Sequence, residues 1–226
     1  MSMEHLNEKN NFLYLLLSLM ALLFSSAVSD DFPGGVGEDI FSIVSVVMIV
    51  VSIKSLHLGL TLKRIVYTLA MMMGGSTLLW SYYPNRWTLL SILLILLLSF
   101  LGAFKLAVKQ ILFEGRGVDA NKIIGSLSLY LLLGLIWTVI YMIILLFDPT
   151  SFNGIEVDGW RTIFSRVAYY SFVTLTTLGY GDISPSSHIA EFAVYMEAIT
   201  GVFYMAIFVS SLVSLRSDDI EERLGK

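Results

Sequence analysis

The sequence predicts an all-α membrane protein with six transmembrane helices and one shorter helix that enters the membrane without crossing it. Of the 226 residues, 56% are hydrophobic and only 14% are charged. The mean hydropathy is +0.79, which is too apolar for an ordinary soluble domain. The absence of cysteine excludes disulfide and thiol chemistry, and no basic run points to a nucleic-acid partner.

Six apolar segments come close to the ~20 residues that a helix needs to cross ~30 Å of hydrocarbon. Charged and turn-forming residues set their boundaries, and the first and third segments are the shortest. The predicted spans are Phe12–Val28, Asp39–Leu60, Ile65–Tyr82, Trp87–Val108, Ile123–Phe147 and Ile189–Leu215.

A further apolar segment, Trp160–Leu175, lies between the fifth and sixth spans. It contains Arg161, Arg166 and several hydroxyl side chains, so it is too polar to span a bilayer. We therefore predict a re-entrant helix that is capped by Asp158 and surrounded by protein instead of lipid.

The charges of the loops predict that both termini are cytoplasmic. In that orientation nine lysine and arginine residues lie inside and three lie outside, in agreement with the positive-inside rule. Phe12–Val28 also has the character of a secretory signal peptide. The segment before it contains Glu4 and Glu8 and so lacks the positively charged region of such a signal, which favours a retained helix. The short loops indicate a cell membrane of the prokaryotic inner-membrane type.

Residues 174–182 have the sequence TLTTLGYGD, which suits a strand that binds a dehydrated cation. Gly179 and Gly181 flank Tyr180 and can adopt backbone conformations closed to other residues. Alternate peptides can then turn inward, and Thr177 adds a hydroxyl oxygen at one end. Gly-Tyr-Gly-Asp alone also suits a surface turn of a soluble domain. The position of the motif between two long apolar segments favours the cation-binding interpretation.

The motif resembles the selectivity filter of the tetrameric potassium channel family, in which carbonyl oxygens replace the water around the ion. The resemblance implies a non-enzymatic homotetramer in membrane lipid, with no cofactor other than potassium ions in the filter. Potassium would be held at Thr177, Leu178, Gly179 and Tyr180. The matching filter residues are Thr177, Leu178, Gly179, Tyr180 and Gly181.

The resemblance also suggests residues that support the filter. Tyr169 and Tyr170 occupy positions where many family members carry aromatic residues behind the filter. Thr176 precedes the filter and Asp182 follows it. Gly201 matches the hinge glycine of the inner helix, and close helix packing is the alternative role.

Glu197 is the one carboxylate well inside a predicted span. An acid in the membrane costs ~2.5–3.5 kcal/mol on insertion scales, so it usually faces protein or water. We expect Glu197 to accept hydrogen bonds from hydroxyls such as those of Thr174 or Ser171 and thereby steady the filter. The alternative is a carboxylate near the interface that reaches water.

The six-span layout resembles that of voltage-gated cation channels, but the fourth span lacks an arginine at every third position. Arg86 lies at its outer rim and Lys105 near its inner end, so voltage gating of the arginine type is not expected. The predicted parts are a four-helix domain at 1–108, a cytoplasmic linker at 109–122, a pore domain at 123–215 and a short cytoplasmic tail at 216–226.

Two other functions stay open on the sequence alone: the ion-conducting subunit of a potassium uptake transporter, and a weakly selective cation channel. Transporters commonly contain paired repeats with an interrupted helix in each half. This sequence has a single filter-like motif and no second copy among residues 1–120, which favours the selective channel.

Overall fold

A computed structural model describes residues 11–28, 40, 43–48, 50, 60–113, 120–156 and 160–224. This part of the chain is mostly helical, in agreement with the predicted all-α class. The predicted second span, Asp39–Leu60, lies largely outside the described residues, and so does the predicted cap Asp158. The elements are α1 (Asn11–Val28), α2 (Leu60–Tyr82), α3 (Arg86–Phe113), α4 (Ala120–Phe147), β1 (Phe152–Asn153), α5 (Trp160–Leu175), β2 (Ser184–Pro185) and α6 (His188–Leu224).

Three helices of the described part are long and apolar enough to cross a membrane, and they correspond to the fourth, fifth and sixth predicted spans. Their candidate spans are Arg86–Ile111, Asn121–Phe147 and His188–Ile207. The first predicted span, Phe12–Val28, is a shorter apolar helix. The arrangement with six spans therefore stays a prediction.

Three helices extend into segments predicted as linker or tail. α3 continues to Phe113, and α4 begins at Ala120, so both enter the predicted linker at 109–122. α6 continues to Leu224 through most of the predicted tail. By contrast, α5 has the bounds predicted for the re-entrant helix.

Polar residues cap the starts of two helices. The Asn85 side chain accepts hydrogen bonds from the N–H groups of Trp87 and Thr88, each at 2.9 Å, and so begins α3 after the turn at Pro84. The Ser187 hydroxyl accepts a bond from the N–H of Ala190 at 3.3 Å and begins α6 in the same way.

Contacts at the helix ends fix the relative directions of α1, α3 and α4. The N–H of Phe12 donates to the Asn121 side chain at 3.3 Å, so α1 and α4 begin at the same end of the structure. Arg86, at the start of α3, lies against the last residue of α4. It donates to the Phe147 carbonyl at 3.5 Å and lies 4.6 Å from the centre of the Phe147 ring. α3 is therefore antiparallel to α4, as the alternating topology requires.

The helix α4 lies at the centre of the described fold, because it contacts α1, α3, α5 and α6. The helix α3 is buried along one stripe with helical spacing, which is the pattern of a packed helix face. This stripe consists of Ile92, Leu96, Phe100, Ala103, Ala107 and Ile111. The helix α1 contacts both α4 and α5, so the first helix packs directly on the region that carries the filter motif.

Candidate functional site

The filter residues Thr177–Gly181 follow the C-terminus of α5, where the chain forms a Schellman motif. The N–H of Leu178 donates to the Val173 carbonyl at 3.0 Å, and the N–H of Thr177 donates to the Thr174 carbonyl at 2.9 Å. Both bonds satisfy carbonyl groups that the end of a helix leaves without partners. This motif turns the chain sharply from α5 into the filter.

Thr177 has a φ of +59°, which is unusual for a β-branched residue. Glycine is the usual residue at this position of a Schellman motif, because a side chain in the left-handed region is unfavourable. Such a conformation costs about 1–3 kcal/mol and persists only where the surrounding structure holds it. In this fold the two bonds of the Schellman motif hold it.

Within the filter segment Thr177–Gly181, every second residue has a positive φ. Gly179 has a φ of +57° and Gly181 a φ of +83°, as expected for glycines that adopt conformations costly to other residues. A Cβ atom added at either glycine would find no atom within 4 Å. The need for glycine at these two positions is therefore conformational, and steric contact within the chain does not cause it.

The filter residues are exposed on the single chain, with Leu178 at 55% and Tyr180 at 67% exposure. Among the described residues, no hydrogen bond uses the carbonyl of any residue from Thr177 to Gly181. Backbone carbonyls without partners are costly to bury, so these oxygens are available for water, an ion or another chain.

The two tyrosines behind the filter have different surroundings. The Tyr169 ring stacks on Tyr180 with 6.4 Å between centroids and 7° between ring planes. Partial desolvation, followed by a hydrogen bond to Asp182, raises the pKa of Tyr169. Tyr170 is buried on another side of α5, with its ring centroid 5.5 Å from those of Tyr141 and Phe152. Within this chain, Tyr169 contacts the filter and Tyr170 packs away from it.

A short sheet holds the segment that follows the filter. Strands β1 and β2 are antiparallel, with Asn153 opposite Ser184, and the N–H of Ser186 donates to the Ser151 carbonyl at 2.9 Å. At Gly154, φ is +82° and an added Cβ would lie 2.2 Å from the Asp182 carbonyl oxygen. The filter is thus fixed by α5 at one end and by this sheet at the other. Sequence reasoning missed Gly154, although the pair Asn153-Gly154 is a turn signal.

Glu197 is fully buried and joins three helices. The Ser171 hydroxyl of α5 lies 2.5 Å from one carboxylate oxygen, and the Tyr141 hydroxyl of α4 donates to the other. Ser171 also lies 2.8 Å from the Gly134 carbonyl. The expected contact with Ser171 is present, the alternative of a carboxylate at the interface does not fit, and Tyr141 was not foreseen.

Counting hydrogens shows how this cluster, Glu197–Tyr141–Ser171, can be satisfied. Three contacts between oxygen atoms link Tyr141, Ser171, Glu197 and Gly134, but the two hydroxyl groups carry only two hydrogens. The Gly134 carbonyl also accepts a bond from the Thr138 hydroxyl at 2.8 Å. A hydrogen on Glu197 itself would complete the network, because Glu197 could donate to Ser171 while Ser171 donates to Gly134. Buried polar networks are stable when every member is satisfied.

Gly201 lies against the end of α5. A Cβ atom added there would come within 2.4 Å of the Leu175 carbonyl oxygen and 3.0 Å of a Leu175 side-chain carbon. α6 passes through this position as a continuous helix. The geometry therefore gives Gly201 a packing role, and its role as a hinge stays a prediction.

Comparisons with known proteins agree with a channel. Residues 127–217, from α4 to α6, match the ion channel family Ion_trans_2. The chain is similar to two-pore potassium channel 4 of Arabidopsis thaliana, with 33% identity over 103 residues. The matched region is 40% of this chain and 36% of the plant protein, so the chain spans about a third of its relative. No solved structure matches. The comparisons support an ion channel in preference to an enzyme.

Proposed function

We propose that this protein is a potassium-selective channel that conducts passively through Thr177–Gly181. The observation that carries the proposal is an exposed segment with positive φ at every second residue and with carbonyls unused by hydrogen bonds of the described chain. Carbonyl oxygens arranged in rings replace the hydration shell of a potassium ion. The similarity to a plant potassium channel supports the choice of ion.

The position of α5 supports attraction of a cation. Its C-terminus ends directly at the filter, and the C-terminus of a helix carries about −0.5 of an elementary charge. In a ring of four chains, four such termini would surround the ion path. Their combined field would offset part of the cost of removing water from the ion.

The number of filter segments supports a homotetramer. Each chain contributes one filter strand, and a ring of carbonyls on all sides of an ion requires four strands. α6 carries large apolar side chains that are more than half exposed on the single chain. In the proposed tetramer, the other copies of the chain cover that surface. The exposed residues include Phe192, Tyr195, Val202 and Phe203.

The contacts of Arg86 argue against an arginine-type voltage sensor. Arg86 is bound to the end of α4 through the Phe147 carbonyl and ring, at one extreme of α3. Steep voltage dependence requires several charges that move through the membrane in each subunit. Lys105 is the single lysine or arginine within the predicted fourth span, Trp87–Val108, so α3 is too poor in charge for that role.

Ion flux into liposomes tests the proposal. Purified protein would be reconstituted into vesicles with defined potassium and sodium gradients, and the uptake of each ion would be followed. We expect passive potassium flux that exceeds sodium flux and that follows the gradient alone. Equal fluxes of the two ions would indicate a weakly selective channel, and flux that requires a coupled ion would indicate a transporter.

The matched control for this assay is Gly179→Ala. Within the chain no atom lies near the added methyl group, so the subunit should keep its fold and insert while its filter backbone is strained. Potassium selectivity that survives this change would show that Thr177–Gly181 is not the selectivity filter.

A further inference from the structure

Tyr130 of α4 holds the last residue of α5. Its hydroxyl donates to the Leu175 carbonyl at 3.1 Å, and Thr176 and the filter follow Leu175 immediately. The carbonyls of the last turn of a helix lack partners within the helix, so their position depends on groups such as this hydroxyl. Tyr130 therefore fixes the backbone at the point where the chain enters the filter.

Tyr204 of α6 packs against Tyr130 and is itself anchored to α4. The two ring centroids are 5.3 Å apart, with 40° between the ring planes. The Tyr204 hydroxyl donates to the Ser126 carbonyl, one turn before Tyr130 on α4. Tyr204 is buried, so this contact is part of the packed interior. The segment of α6 that follows Gly201 is thus attached to the same helix that holds the filter entrance.

Gly201 completes the arrangement from the other side of Leu175. Its Cα position leaves no room for a Cβ next to the Leu175 carbonyl oxygen. Leu175 is therefore enclosed by Tyr130 and by α6 at Gly201. A displacement of α6 relative to α4 at this level must disturb Tyr204, Tyr130 or the Leu175 carbonyl.

We infer that Tyr130 and Tyr204 form a coupling pair that transmits the position of α6 to the filter entrance. The pair acts as a positioning element, because neither side chain belongs to the filter itself. This inference rests on the proposed channel function and goes beyond it, since it assigns a route between the inner helix and the filter. It follows that a bend of α6 at Gly201 cannot occur independently of the filter.

A double-mutant cycle on single channels in planar bilayers tests the coupling. The variants are Tyr130→Phe, Tyr204→Phe and the double variant, with Tyr82→Phe as the matched control because Tyr82 is 78% exposed. The fraction of time spent conducting should fall about fivefold in each single variant, the effect of one lost hydrogen bond. The double variant should resemble the single variants instead of showing the product of their effects, because both changes interrupt one route.

The outcomes separate this inference from the proposed function. If the parent channel and Tyr82→Phe conduct potassium selectively and the Tyr130 and Tyr204 variants behave like them, the coupling is wrong and the channel function stands. Multiplicative effects in the double variant would also overturn the coupling. If the parent itself does not conduct, the proposed function fails.

A chemical cross-link provides a second measurement if a phenylalanine variant does not assemble. The natural sequence contains no cysteine, so Ser126→Cys with Tyr204→Cys creates the only thiol pair. The unlinked pair lacks both the Tyr204 hydroxyl and the Tyr204 ring that packs on Tyr130, and it should conduct less than the parent. Bridging the pair with a flexible bis-maleimide reattaches α6 to α4 without the Tyr204 ring, so the conducting fraction should stay at the level of the unlinked pair. Recovery of the parent level after successful bridging would refute a route through the two tyrosine rings.

Discussion

Two substitutions of Glu197 should distinguish the effect of its hydrogen bonds from the effect of its charge. Glu197→Ala should weaken the assembled protein and reduce potassium flux, whereas Glu197→Gln should be tolerated. The reason is that Glu197 connects Tyr141 and Ser171 inside the protein, where no solvent can replace the lost side chain.

The size of the alanine effect follows from the partners that would remain. Ser171 keeps the Gly134 carbonyl as an acceptor at 2.8 Å, but the Tyr141 hydroxyl loses the carboxylate. One buried hydroxyl without a partner costs about 1–3 kcal/mol. The cavity left by the shortened side chain adds to this cost, so we expect a loss of about 2–4 kcal/mol per subunit.

Glutamine fits the same network by the count of hydrogens. Its carbonyl oxygen can accept from Tyr141, and its amide can donate to Ser171, which in turn donates to Gly134. This is the bonding pattern of a Glu197 that carries a hydrogen. Glu197→Gln should therefore keep most of the thermal stability and the potassium selectivity of the parent.

The assay combines thermal unfolding of the assembly in detergent with potassium flux into liposomes. Ser171→Ala is the matched control, because it removes one partner and leaves Glu197 in place. A Glu197→Ala protein that assembles, conducts and selects like the parent would show that the carboxylate has no supporting role. A Glu197→Gln protein that is as defective as the alanine variant would instead show that the charge itself is required.

Three further predictions concern the filter, its outer attachment and voltage. Gly179→Ala should abolish potassium-over-sodium selectivity in the liposome assay with little effect on the fold of the subunit, since within the chain its added methyl group meets no atom within 4 Å. Gly154→Ala should lower the thermal stability by more than 1 kcal/mol, because it combines a positive φ with a clash against the Asp182 carbonyl; unchanged unfolding would contradict the attachment. Lys105→Gln should leave the conductance–voltage curve unchanged, and a flattened steep curve would show that α3 carries a sensor.

Local sequence was sufficient for the parts of the site that depend on local chemistry. The bounds of α5 follow from its apolar pattern between polar flanks, and the positive φ of Gly179 and Gly181 follows from residue type. The contact between Glu197 and Ser171 was predictable because a membrane acid needs hydroxyl partners and few were at the same depth. The contact between Tyr141 and Glu197 could not be predicted in this way. Tyr141 is 56 residues from Glu197 in the sequence, and it lies in an apolar segment like any other aromatic residue.

The helices α3 and α6 extend beyond the predicted spans because hydropathy marks the membrane edge, and a helix does not have to end there. Lys109 limited the fourth span, yet lysine is a good helix former and α3 continues to Phe113. In the same way, the charged residues that follow Leu215 favour a helix in water, and α6 continues to Leu224. A change in polarity predicts a change of solvent and carries no information on backbone hydrogen bonding.

Gly201 shows why a substitution at this glycine cannot by itself identify a hinge. An alanine there would meet the Leu175 carbonyl oxygen at 2.4 Å, so loss of conduction would follow from displaced α5 as readily as from a stiffened α6. The contacts on both sides of Gly201 offer a clearer separation. Glu197 ties α6 to α5 before Gly201, and Tyr204 ties α6 to α4 after it. A hinge at Gly201 requires one of these attachments to open, whereas a pure packing role requires both to persist while the channel conducts.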